Sequence, residues 1–149
     1  MAFAITLHFL AAVVWVGGMF FALLILRPAS LDLDLPTRVG LWARVLRRFV
    51  PVVWGAVLLL PATGYWMIGH ALGGLAGAGH HVLIMQILGW TMILLFLLLF
   101  WRGFLPMRRM ARELLIPEAG LYIERIRAII QINLVLGIIV ICVATAGRF

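Results

Sequence analysis

The sequence predicts an all-α fold: a four-helix transmembrane bundle with both termini outside the cytoplasm. Three observations predict it. Apolar residues make up 66% of the 149 residues and charged ones only 11%. The apolar residues fall into four long runs, each near the 20 or so residues that a helix needs to cross the hydrocarbon. Eleven of the twelve arginines fall in the first and third connections between those runs.

The first span is placed at 3–26 and closed by Arg27-Pro28. It lacks a basic n-region and is too long for a signal-peptide h-region, so it is expected to stay in the mature protein. The second span is placed at 49–69, with Pro51 near its start and Pro61 inside it. Bundles tolerate such prolines where neighbouring groups re-satisfy the backbone. The third span is placed at 82–101 and closed by Arg102; the fourth is placed at 126–146. Unbroken apolar runs also exclude a β-barrel, whose strands alternate. The whole chain, 1–149, reads as one membrane domain.

Orientation follows from the arginines. The first connection carries Arg27, Arg38, Arg44, Arg47 and Arg48, and the third carries Arg102, Arg108, Arg109, Arg112, Arg125 and Arg127. The second, from His70 to His80, has no charged residue. The positive-inside rule puts the arginines in the cytoplasm and the chain in the inner (cytoplasmic) membrane as a multi-pass protein. The net charge of +7 therefore serves topology, and no nucleic-acid partner is expected. Residues 38–48 mix arginines with Val39, Leu41, Trp42, Val45 and Leu46. They read either as an interfacial helix against anionic lipid or as a solvated helix extension.

Chemistry is expected from polar residues at membrane depth. Cys142 is the single cysteine, so neither a disulfide within the chain nor a thiolate zinc site is expected. Helical rise places His8 roughly 28 Å from Arg27, His81 roughly 31 Å from Arg102 and His70 roughly 33 Å from Arg48. On that count three helices bring histidines to one depth near the outer edge, with His80 adjacent. Intramembrane ionisable residues mark sites by default, and neutral imidazole is a metal ligand. The competing reading for His8 and His81 is a hydrogen-bonded structural role; for His70 and His80 it is simple solvation.

Ala12, Trp15, Gly18 and Ala22 share a face with His8, leaving room for a flat ligand or for a close helix. Met67 and Met85 each lie one turn from a histidine, which suits copper(I), although methionine also fills cores. Gln86 and Asn133 need partners in lipid; they bond between helices or support the site. Histidine, tryptophan, arginine and proline recur in the first and third spans, as in a two-helix repeat.

These residues carry a resemblance. LHFLAAVVWVGGMFFALLILRP, TGYWMI, HHVLIMQ and RIRAIIQINLVLG together resemble the short four-helix members of the CopD-like membrane proteins. That group includes proteins associated with copper uptake or resistance. It is related to the HemJ-like proteins, which hold b-type haem through a first-helix histidine and oxidise protoporphyrinogen. His8, Trp15 and Gly18 match the first-helix histidine, tryptophan and glycine of that pattern. The chain departs from it in lacking a lysine before the histidine and an arginine after the helix-closing proline.

Three functions are weighed. The first is b-type haem held by His8 and His81, with Trp15 and Gly18 beside it. That would make the chain a haem-dependent membrane oxidoreductase, serving a quinol or a redox partner at the outer face. The second is a copper site drawn from His8, His81, His70, His80, Met67 and Met85. The third is a cofactor-free accessory or assembly subunit. A glycine face such as Gly17-Gly18 would allow a homo-oligomer.

Overall fold

The computed structural model describes residues 1–71, 74, 77 and 79–146. Among these residues there are four long helices and no strand. Helix α1 spans Ala2–Ala29, α2 Leu35–Ala71, α3 His80–Arg112 and α4 Ile116–Ala146. All four are long and apolar enough to cross a membrane. Helix α1 packs chiefly on α2 and α3 on α4, while α4 also touches α1 and α2. Most of the connection from His70 to His80 lies outside the described residues.

The helices overrun the expected spans at the arginine-rich end. Helix α2 alone has 37 residues, roughly 55 Å at standard rise. Residues 38–48 are its opening turns, so the interfacial reading gives way to the helix extension. The reason is packing. Val39, Trp42 and Leu46 share one helical face and are all buried, while the arginines point away. Asp34 caps this helix by accepting from the Thr37 backbone N–H at 3.2 Å; the Thr37 side chain first, and that N–H second, hold its carboxyl below the usual carboxylate range.

The first helix ends at Ala29, one residue past Arg27-Pro28, whereas Arg102 does not end its helix, which runs on to Arg112. A single wide turn precedes the proline in each case: Ala22–Leu26 before Pro28, and Phe100–Phe104 before Pro106. In these turns Arg27 N–H reaches back five residues to the Ala22 carbonyl, and Leu105 N–H to that of Phe100. An ordinary turn would press the proline ring against the carbonyl four residues back; the wider turn relieves that clash and the helix continues. The shared device supports a two-unit repeat, but in a different register. Matching the prolines pairs His8 with Gln86 rather than with His81.

The bundle is packed unevenly along its length. Ser30, Val39, Met107, Ala119 and Ile126 are each no more than 1% exposed, and all lie toward the arginine end. Ser30 Oγ donates to the Arg27 carbonyl and accepts from Trp42 Nε1, tying the turn after α1 onto α2. At mid-depth Trp15, Trp54, Phe96 and Phe100 form an edge-to-face series across α1, α2 and α3, with centroids 5.3 to 6.2 Å apart. Beyond this aromatic layer the four helices separate around a cavity.

Candidate functional site: a histidine in an apolar cavity

The cavity has a volume of about 400 Å³ and sits at the end away from the arginines. All four helices line it. Helix α1 gives Ile5, His8, Ala12 and Trp15; α2 gives Pro61, Gly64 and Met67; α3 gives Met85, Gln86, Gly89 and Trp90; α4 gives Gly137 and Val140. The lining is apolar except for a few groups, the composition expected of a small-molecule site.

His8 is the only one of the four histidines that lines it. Its Nδ1 lies 2.8 Å from Thr63 Oγ1 on α2. The threonine hydroxyl has one proton, and the Leu59 carbonyl takes it at 2.6 Å. With that proton on the Leu59 carbonyl, Thr63 accepts from the ring, an arrangement that puts the imidazole hydrogen on Nδ1 and the lone pair on Nε2. Gly64 lies beside this ring: a Cβ there would be in ordinary contact, 3.5 Å from His8 Cε1.

The other histidines lie elsewhere. His81 folds back on its own chain, with ring atoms 2.8 Å from where a Cβ on Gly79 would stand. His70 stacks on Trp66 at 4.4 Å and donates Nδ1–H to the Trp66 carbonyl. His80 is exposed. The expectation of one shared depth fails for His70, which is seven residues past Thr63, roughly 10 Å further from the arginine end than His8. The expected depth was counted from Arg48. Phe49 packs beside Gly18, so Arg48 sits well above the level of Arg27. Among the described residues no three His, Cys, Asp or Glu side chains form a metal-binding group.

The remaining sequence candidates divide cleanly. Trp15, Met67, Met85 and Gln86 line the cavity, and Met92 joins them. Gly18 does not; a Cβ there would collide with the Phe49 ring, so this glycine serves close packing of α1 on α2. Asn133 is buried outside the cavity and donates Nδ2–H to the Met92 carbonyl at 3.2 Å, a bond between α4 and α3. Its Oδ1 is buried without a partner.

Sequence reasoning missed the role of Thr63. The signal that could have found it is a hydroxyl two residues after Pro61, inside an apolar span and at the depth of His8. It also missed Tyr65, whose hydroxyl accepts from Trp90 Nε1 at 3.1 Å.

No protein-family model, curated protein or solved structure matches this chain. Fold and site together define a class: a four-helix membrane-type bundle, tightly packed at one end and carrying an oriented histidine in an apolar cavity at the other.

Proposed function

We propose that the cavity takes a b-type haem, which His8 would hold, and that the chain is a membrane redox protein resembling the CopD-like and HemJ-like group. One observation supports this reading: His8 lines an apolar cavity with its Nδ1 2.8 Å from Thr63 Oγ1, a partner that favours the lone pair on Nε2. Metal-binding histidines characteristically donate their other ring N–H in this way. Ala12, Gly64, Gly89 and Gly137 keep side-chain bulk off the walls, as a flat group requires. Haem iron supplies one-electron exchange when bound. The protein's part is to orient the ring, exclude water along the apolar walls and close the floor with Trp15.

The bis-histidine form of this reading has lost its support, because His81 does not line the cavity. Met67 and Met85 are the soft donors that do. Their presence also favours a second reading, a copper(I) site of His8 with thioethers.

The arginine-rich end is the cytoplasmic one in this proposal, by the positive-inside rule. The cavity then opens toward the outer face of the inner membrane, and both termini are outside the cytoplasm. All the arginines of the described residues lie away from the cavity, so haem propionates would meet outer water rather than a protein cation.

The test is an absorption spectrum of the detergent-purified protein, with and without dithionite, together with metal analysis. A Soret band that disappears in His8→Ala and persists in His81→Ala is the expected result. Copper in stoichiometric amount without a Soret band would replace haem by the second reading. Neither metal, after expression with adequate supply of both, would overturn the cofactor proposal in favour of an accessory subunit.

A further inference from the structure

The wall between the cavity and the surrounding bilayer is thin in one place. Trp90 on α3 lines the cavity and is 46% exposed. It is flanked by glycines. Gly89, beside it, has nothing within 4 Å of where a Cβ would be, and Gly64, on α2, faces only the His8 ring. Across the same seam Tyr65 is 44% exposed, and its hydroxyl holds the Trp90 indole N–H. Deeper along the seam, Trp54 closes against Phe96 and Phe100. At the level of Trp90 a single hydrogen-bonded aromatic pair does that work.

Inside the seam lies an unanswered polar group. Gln86 lines the cavity one turn from Trp90 and is half-buried. Its amide has no hydrogen-bond partner among the described residues; the bonds of this region are His8 to Thr63, Trp90 to Tyr65 and Asn133 to Met92.

We infer that a lipid-dissolved quinone or hydroquinone enters sideways between α2 and α3, past the Tyr65–Trp90 pair, and is held at Gln86. The chemistry selects this class. The ligand must be soluble in the bilayer, flat enough to slip past glycines, and able to pair an amide while otherwise apolar. A primary amide suits both oxidation states: its N–H₂ donates to a quinone carbonyl, and its carbonyl accepts from a hydroquinone O–H. An acyl chain meets the first condition and leaves Gln86 unpaired. This inference rests on the proposed redox reading only for its purpose: Gln86 and His8 line one cavity of about 400 Å³, so a quinone at Gln86 would take space that a haem at His8 also needs, and the binding test therefore includes the haem-free His8→Ala protein.

The experiment is equilibrium binding of decylubiquinone to the purified protein in nanodiscs, in wild type and variants. Saturable binding is expected in wild type, weakened at least tenfold in Gln86→Leu and retained in Gln86→Asn within a few-fold. Tyr65→Phe, which removes the latch without touching the cavity lining, is expected to speed quinone entry and release several-fold. His8→Ala is expected to lose any haem and keep the quinone, so failure of the two ideas can be told apart. Absence of saturable binding in wild type, or equal affinity in Gln86→Leu, would overturn the inference. Should Gln86→Leu fail to fold, Trp90→Phe serves instead; equal entry rates in Trp90→Phe, Tyr65→Phe and wild type would exclude the seam.

Discussion

His8 and Thr63 meet across α1 and α2 with Nδ1 and Oγ1 2.8 Å apart, and the hydroxyl proton is already given to Leu59. The bond is therefore directional: imidazole donates and threonine accepts. Thr63→Val keeps the shape and removes the acceptor. It is expected to weaken cofactor retention about 10- to 100-fold, the usual cost of losing such a partner. The reduction potential of any cofactor retained should rise, because the imidazole becomes a poorer electron donor. Thr63→Ser should restore both. Spectroscopic titration and potentiometry check this, and unchanged values in Thr63→Val would remove Thr63 from the site.

Gly18 is read as a packing glycine. A larger side chain there must displace Phe49. Gly18→Leu is expected to cost about 1–3 kcal/mol, the usual range for overpacking. The companion Gly17→Leu should cost little, since nothing lies within 4 Å of its Cβ position. Unfolding in mixed micelles would measure both, and equal costs would contradict the assigned packing.

Asn133 contributes one bond between helices and leaves Oδ1 unpaired. Bonds of this kind in membranes average about 0.6 kcal/mol. Asn133→Leu is therefore expected to change stability by less than about 1 kcal/mol and to leave cofactor content intact. Loss of the cofactor in this variant would return Asn133 to a supporting role at the site.

Orientation is open to a direct check. An alkaline phosphatase domain fused after the last residue should be active only if that end reaches the outer side. Activity of a cytoplasmic reporter at the same position would reverse the topology and move the cavity to the inner face.

The spans were legible because bilayer thickness imposes apolar runs of fixed length on the sequence. Their ends were not. Arginines look like boundaries, but Arg27, Arg48 and Arg102 stand on helices that continue past them, since an arginine stem can lie along a helix while its head finds water. His8 was legible as a candidate because an imidazole at such depth needs a reason, and it lines the cavity. His81 looked equivalent by counting. Its ring direction is set by Gly79, two residues earlier in the chain, and no count along the helix contains that information. Trp15 and Gly18 appeared as one stripe, yet one faces the cavity and the other faces Phe49. Helices whose apolar surface runs all round leave the inward face undecided until neighbours are placed.

The uneven packing has a mechanical consequence. Near Ser30, Val39 and Met107 the side chains are fully buried, whereas the other end encloses a cavity of about 400 Å³. Deformation of the bundle will concentrate at the open end. The molecule behaves as a clamped cup, with a base that keeps the helices in register and a rim that can widen by side-chain rotation alone.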